Sequence, residues 1–554
     1  MKTAAVDEPG LTARIGEVLN RWPAAGLAVG VVRHGSLAWF HGHGVADVAA
    51  GMPIDQDTVF RIASVTKTIT AIAVMQLQEQ GLVDLDAPAG DYLHAYRLIP
   101  ARPGFRPATL RHLLTHTAGV RAVRQPSDLL RPALGWGTRA GRPVPPLAGY
   151  YRGGLHIDVE PGTKWAYSNH GFATLGQIVE DVSGIPLGRY LRERVFGPLG
   201  MDHSDLTRTG RVSPRLATGY VLRSRGLKAV TDREVVPAGG GSVYSTTGDM
   251  ARYTAALLGG GANEHGRVLR PATLASMFEP SYQPDPRIPG MGLGFFRGQA
   301  GAHPTVGHDG IWPGFHSALV LAPGQGTGVI AFANTGPFSP LAAAGPVASA
   351  ILRGILGLPE DAVRTGVPEQ PWAWGELCGW YSLGPGVLTD PQPRMLGGVE
   401  VAVRHDHLTI RGQIPVPAVR RGLRLHPDGD DPCAFRIDLP GFGSGTSPVV
   451  FSRDPSGHVT AMHLGVQPLS FRKRPDAQNP RPWVAGALAV GAVALAAGHR
   501  QRAYRGLQSR AEGPELEPGR SHDEDRVSAR LQVRQRGHGR GGVQQADGRQ
   551  GRHR

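Results

Sequence analysis

Residues 60–80 read FRIASVTKTITAIAVMQLQEQ, and Gly81 follows. Val65, Ile69, Ile72, Ala73, Val74, Met75 and Leu77 leave almost no polar face until Gln76, Gln78 and Glu79. A helix that is apolar on nearly all sides belongs in a core, and a glycine after the last turn supplies a left-handed stop. The stretch therefore predicts a buried central helix opened by Ser64-Val65-Thr66-Lys67. A hydroxyl in its first turn would meet the positive end of the helix dipole, and Lys67 would project from nearly the same face. These are the parts of an activated serine nucleophile.

Lysine is the informative letter. The chain has only five, Lys2, Lys67, Lys164, Lys228 and Lys473, among 59 Lys and Arg residues, so Arg is its ordinary positive charge. Arginine does not give up its proton in a protein, whereas a desolvated lysine can exchange one. Keeping Lys at 67 points to chemistry. Ser-x-x-Lys recurs at Ser470-Phe471-Arg472-Lys473, but inside an alternating, strand-like stretch where Ser470 reads as a plain strand residue.

With 554 residues, 41% hydrophobic and 19% charged, the chain has the composition of a globular protein with room for two domains. The formal net charge of +14 invites a nucleic-acid partner, but residues 499–554 alone hold 13 Arg against 7 Asp and Glu in a Gly- and Gln-rich tail. The folded part is only mildly basic, which argues against nucleic acid. Cys378 and Cys433 form neither a disulfide framework nor a Cys-x-x-Cys metal pair. Met1–Trp22 lacks a basic start followed by an apolar run, so no signal peptide is read and a cytoplasmic location is the default. The segment 483–498, WVAGALAVGAVALAAG, is apolar but shorter than a bilayer span; it is the candidate for membrane contact and the alternative, membrane-associated location.

Leu11–Arg21 has the pattern of an amphipathic helix, and Gly26–Val32 with Leu37–Phe40 reads as a hairpin turning at His34-Gly35. Short helical elements are expected at Leu82–Asp86 and Thr109–His116, and Pro126–Gly154 reads as a long loop, a lid or substrate wall. Helices are expected at Phe172–Val182, Pro186–Phe196, Met250–Leu258, Pro271–Phe278 and Leu341–Leu356, and strands at Thr305-Val306, Ser317–Leu321 and Gly328–Phe332. Helices framed by antiparallel strands from both ends indicate an α+β domain. From Trp372 the texture changes to short strand-like runs divided by Gly, Pro and Asp, as in a small β-barrel or sandwich. The expected organisation is 1–357, then 372–474, then an apolar segment and basic tail at 475–554.

Tyr167-Ser168-Asn169, on a turn-rich segment, offers a phenol to take up and pass on the serine proton and an amide to orient substrate or lysine. In Gly307-His308-Asp309-Gly310, a strand edge ending in Gly310 lets a substrate backbone approach. The next N–H, that of Ile311, could complete an oxyanion hole with the N–H of Ser64. His463-Leu464-Gly465 also fits His-x-Gly, so the motif is weak alone. His112 and His116 lack a third ligand at metal spacing, and no metal or cofactor is expected.

In this order and spacing the three motifs resemble the serine hydrolases of the class C β-lactamase and penicillin-binding-protein type, with Ser-x-x-K, Tyr-x-Asn and Lys- or His-x-Gly. The resemblance covers about Gly26–Asn334, including TLRHLLTHTAG, PGTKWAYSNHGFATLGQIVEDVSG and GGGSVYSTTGDMARY. It implies an antiparallel sheet covered by helices, a helical subdomain, and a site between them. It also implies Ser64 as nucleophile, Lys67 as its proton partner, Tyr167 as general base and acid, Asn169 as orienter, and His308 with Gly310 as the sheet wall. Some members carry C-terminal β-barrel domains, which 372–474 resembles; read as a lid or specificity module, it should leave a chain ending near Leu356 able to fold alone. The implied reaction passes through an acyl-enzyme on an ester, amide or β-lactam. Where β-lactamases of this type usually have Lys and Thr, this chain has His308 and Asp309, which favours an esterase or D-stereospecific peptidase on neutral substrates. A β-lactamase or D-Ala-D-Ala carboxypeptidase is the alternative, and a non-catalytic binding or sensor protein on the same fold is the alternative of another class. Oligomeric state stays open.

Overall fold

The computed structural model describes residues 7–479, apart from 131–135, 140–141, 337–341, 387, 390–397, 413–420 and 440–444. Residues up to Asn479 form one compact unit. Its first layer is a seven-stranded antiparallel sheet in the order 296–300, 303–312, 315–322, 327–333, 26–33, 36–47, 52–53. The N-terminal hairpin pairs directly with the last of the distant strands, Leu27 opposite Ala333. It turns at His34-Gly35, both at positive φ, as a two-residue hairpin loop requires.

Alternation along Gly26–Arg33 feeds two cores. Leu27, Val29 and Val31 pack with Leu11, Ile15 and Leu19 of the first helix (Glu8–Arg21) and with Val347 and Ile351 of the closing helix (Ala344–Ile355). Ala28 and Val32 share the opposite core with the central helix, which runs Thr66–Glu79. Every residue from Thr66 to Leu77 is buried. Such a helix stabilises only if its polar groups are matched, and most are, the Gln76 Oε1 being left without a partner among the described residues. Thr66 Oγ1 accepts from the Val243 N–H (3.0 Å), Thr70 donates to the Gly239 carbonyl (2.8 Å), and Gln76 donates to the Arg194 and Val268 carbonyls. Burying Ile69, Ile72, Met75 and Leu77 contributes about 1.5–3 kcal/mol each. Gly81, at φ 72°, ends the helix as expected.

The helix begins later than the sequence pattern suggests. Phe60 and Arg61 belong to a strand (Val59–Arg61), and Ser64 lies in a single 3₁₀ turn (Ala63–Val65). Leu82–Asp86 is not helical: the Asp86 N–H donates to the Asp84 carboxylate at 2.9 Å, a local bond that competes with the helical ladder. The helix expected from Phe172 starts at Asn169, because the Ser168 hydroxyl caps it by accepting from the Gly171 N–H.

Residues 379–474 form a second, all-antiparallel sheet of nine strands. Its edge strands, Leu423–Arg424 and His426–Pro427, are separated only by Leu425, so the sheet nearly closes into a barrel. Trp380 and Tyr381 lie on its first strand in chain order, Gly379–Ser382. Its core is not its own, however: Trp165 and Met291 join Tyr381, Phe451, Met462 and Phe471 in one buried cluster, with Tyr167, Tyr282 and Phe296 packed on it. Removal of 372–474 would strip these residues of their cover, which argues against the expectation that a chain ending near Leu356 folds unaided. Among the described residues no helix is long and apolar enough to cross a membrane; 483–498 lies outside them.

Candidate active site

Ala63, one residue before Ser64, has φ 45°, the left-handed region that costs a residue with a Cβ about 1–3 kcal/mol. This turn places Ser64 at the mouth of the central helix, half-buried above Lys67, which is wholly buried. The turn is held from the sheet by Ser317 Oγ, which donates to the Ile62 carbonyl at 2.6 Å. Gly310 lies against the same segment, where a Cβ would meet Ile62 O at 2.3 Å and Ala63 Cβ at 3.1 Å.

Lys67 Nζ reaches Ser64 Oγ at 3.0 Å, Asn169 Oδ1 at 2.6 Å and the Gly240 carbonyl. No carboxylate bonds it among the described residues, and burial lowers its pKa well below 10.5. A neutral amine has two hydrogens and one lone pair. Two of its partners, an amide oxygen and a carbonyl, can only accept, so the lone pair is left for the Ser64 O–H. Tyr167 completes the set: its hydroxyl faces Ser64, and its ring centre lies 4.7 Å from Lys67 Nζ. Burial raises the Tyr167 pKa and outweighs the opposing influence of Ser64, so the phenol keeps its proton.

An aromatic wall surrounds Tyr167. His116 lies 4.3 Å from its ring, Phe296 stacks at 6.5 Å, and His308 stands 6.2 Å away. His116, at φ 57°, accepts the Ser168 N–H at Nδ1 (3.2 Å), which leaves its hydrogen on Nε2. His308 has the opposite tautomer, since Nδ1 lies 2.7 Å from the Asp309 carbonyl, which can only accept. Burial pushes His308 down to about 3 and so keeps it uncharged. Asp309 opens to solvent, yet the protein around its carboxyl strips enough water to raise it to about 6.

Ser64, Asn169 and Ile311 line an opening of about 280 Å³, walled by Trp136, Val235, Pro237 and Trp312. None of these described lining side chains is charged. The buried Arg61 stands behind Trp312 at 5.6 Å and is paired with Asp232 at 2.7 Å. The structure thus brings together Ser64, Lys67 and Asn169 in one bonded group with Tyr167 against it, and His308, Gly310 and Ile311 on the adjoining strand. Trp136 gives the expected loop wall a definite contact.

Three participants were not read from the sequence. The Gly240 carbonyl had a visible signal in the run Gly239-Gly240-Gly241, where a Cβ on Gly240 would meet Asn169 O at 2.8 Å. His116, considered only for metal spacing, and Trp312 had none. The decoy motifs also resolve. Ser470 and Lys473 lie on one strand (Leu469–Arg474), where residues three apart face opposite sides.

The family model described as Beta-lactamase matches residues 15–352. The putative penicillin-binding protein PbpX of Bacillus subtilis is 27% identical over 332 residues, 58% of this chain and 73% of that protein. Esterase EstB of Burkholderia gladioli is 32% identical over 215 residues, 36% of this chain and 52% of the esterase. Among solved structures, the octameric penicillin-binding protein homologue from Pyrococcus abyssi aligns with a TM-score of 0.55 at 21% identity, over 84% of this chain and 100% of that one. That share exceeds residues 15–352, so the likeness in fold extends into the nine-stranded sheet.

Proposed function

This chain belongs to the Beta-lactamase family of serine hydrolases, and from that premise we propose that Ser64 attacks neutral esters or amides, with Lys67 as first base and Tyr167 as acid and then base. The observation that carries this reading is the Ser64–Lys67 bond beside Tyr167 in a site that lowers the lysine pKa and raises the tyrosine pKa. Environments that push two pKa values in these directions assign the roles. Ser64 Oγ bonds to the carbonyl carbon as its proton passes to Lys67. Collapse of the tetrahedral species expels the leaving group, which takes the proton of Tyr167. The phenolate and the Lys67 ammonium then offset each other's charge. Water gives a proton to the phenolate and attacks the acyl carbon, and Lys67 returns its proton to Ser64 as the acid leaves. The sequence expectation that Tyr167 takes the serine proton is thereby narrowed, because a phenol with a raised pKa is a poor first base.

The N–H groups of Ser64 and Ile311 are the proposed oxyanion donors, and Asn169 holds Lys67 in place. Their spacing depends on Gly310 lying against the nucleophile turn. Gly310→Ala is expected to lower kcat by about 100-fold, the range for a lost oxyanion donor, and to lower the melting temperature by several degrees, since its Cβ would push on the Ile62 carbonyl. Steady-state kinetics and a thermal melt check this together.

The substrate class rests on charge. An uncharged His308, an Asp309 carboxylate and an opening lined by neutral groups disfavour a substrate carboxylate. EstB, an esterase by name, supports the same reading. At pH 7.5 a neutral short-chain ester is expected to exceed a chromogenic cephalosporin in kcat/KM by at least about tenfold, roughly 1.4 kcal/mol. A cephalosporin turned over faster than the ester would reverse the assignment.

A further inference from the structure

We propose that the hairpin Tyr220–Ala229 docks this protein on the surface of an anionic lipid bilayer; the inference concerns binding and stands apart from the hydrolase reading above. Its strands, Tyr220–Arg223 and Gly226–Ala229, form a two-stranded sheet of their own that turns at Ser224-Arg225, with Gly226 at φ 101° completing the turn. Every residue from Leu222 to Ala229 is exposed. The hairpin carries three cations, Arg223, Arg225 and Lys228, and no Asp or Glu.

Apolar side chains stand uncovered on one of its faces. Leu222 lies directly opposite Leu227, so the two share a face, and they are 53% and 42% exposed. Nearer the foot on that face Tyr220 is buried, its hydroxyl accepting from the Val48 N–H at 2.8 Å. Val48 itself is 47% exposed. Three of the eight large apolar side chains exposed among the described residues therefore gather at one hairpin and its foot, as a patch and not as scattered singles. Arg223 and Lys228 lie on the other face, opposite Gly226 and Val221, and Arg225 lies in the turn. None of the three is ion-paired among the described residues. Two acids flank the foot, but both are engaged: Asp47 accepts from the Thr218 hydroxyl at 2.6 Å, and Asp232 from Arg61 at 2.7 Å.

Leucines that enter the headgroup boundary, with cations on their flanks, gain from an anionic bilayer both by apolar burial and by charge. Nucleic acid would reward the cations through its phosphates but not the leucines. A stable protein interface takes about 20–30 residues a side, more than this hairpin presents. The foot is held firmly, since the Tyr220 N–H donates to the Asn334 carbonyl at 2.8 Å and the Tyr220 carbonyl accepts from the Gly336 N–H at 3.0 Å. Gly219 lies against Phe315, where a Cβ would meet the ring at 2.6 Å, and Phe315 pairs across its turn with Trp312, a wall of the opening at Ser64. Docking by this hairpin therefore sets that opening beside the lipid surface.

The test is co-sedimentation of the full chain with vesicles of phosphatidylcholine, alone or mixed three to one with phosphatidylglycerol, at about 0.1 M and about 0.5 M salt. Binding to the mixed vesicles is expected at the lower salt, weaker by at least about tenfold at the higher salt and on phosphatidylcholine alone. Arg223→Gln/Arg225→Gln should weaken it by about 30-fold and Leu222→Ser/Leu227→Ser by about tenfold, each with a melting temperature within about 2 °C of the wild type, because these side chains are exposed. Arg102→Gln/Arg472→Gln, which removes the same charge from exposed positions off the hairpin, should change binding by less than about twofold. An equal loss in that control pair would reduce the effect to net charge and overturn the proposal. Binding left unchanged in both hairpin variants would also overturn it and move the contact to the apolar segment 483–498. So would the absence of vesicle binding, or retention of a single-stranded oligonucleotide in place of vesicles. Should one hairpin variant misfold, the other decides.

Discussion

Lys67→Arg is expected to lower kcat by about 10³-fold, roughly 4 kcal/mol, although the charge is kept. The wild-type amine is neutral enough to accept because burial lowers its pKa, and it has three polar contacts within a fully enclosed space. A guanidinium is larger and stays protonated at every accessible pH, so it can neither fit these contacts nor take the serine proton. The sign of the pH dependence follows. In the wild type kcat/KM should rise with pH as Lys67 loses its proton, and fall as pH drops below its lowered pKa. Tyr167, raised by burial, should contribute no loss on the alkaline side of neutrality. Steady-state kinetics of both proteins from pH 5 to 9 read these effects; a variant retaining more than about a tenth of the wild-type kcat contradicts a proton-transfer role for Lys67.

Ending the chain at Leu356 is expected to be almost as damaging, for a reason of packing. Trp165 is 2% exposed and Met291 0%, and both owe much of that burial to side chains of the nine-stranded sheet. Exposing them costs about 1.5–3 kcal/mol each. Against a total stability of about 5–15 kcal/mol this is a large share. Loss of the Asp285–Ser452 bond adds to it. The shortened protein should aggregate, or melt about 10 °C lower, with kcat on a neutral ester reduced by about 100-fold. Soluble yield, a circular dichroism melt and kinetics check this. A soluble product with wild-type melting and kcat would show that 372–479 is dispensable to the site.

The candidate site was legible in the sequence because its groups sit in short, order-dependent motifs. A buried lysine three residues after a serine, in a chain that otherwise uses arginine, is a signal that packing does not blur. The start of the central helix was less legible. Nothing in Ile62-Ala63-Ser64 announces that Ala63 adopts a left-handed conformation, which turns one helical step into a 3₁₀ turn. The Lys67 acceptor at Gly240 and the walls at Trp136 and Trp312 come from segments 60 to 250 residues away in sequence, as their numbers show, and no local pattern reports such proximity. The strands of 399–474 could be read from alternation, which tells which side chains share a face. It does not tell what covers that face. Trp165 and Met291 therefore looked like residues of the first domain, while the fold buries them in the core of the nine-stranded sheet.

The measurement that bears most directly on the account is covalent labelling of the full chain with an active-site serine reagent, followed by intact-protein and peptide mass spectrometry. One adduct per chain is predicted, on the peptide containing Ser64, because this hydroxyl alone stands between a lysine of lowered pKa and a protonated tyrosine among the described residues. Labelling should vanish in Ser64→Ala. An adduct that persists in that variant, or that maps to Ser470, would contradict the assignment of Ser64 as the nucleophile.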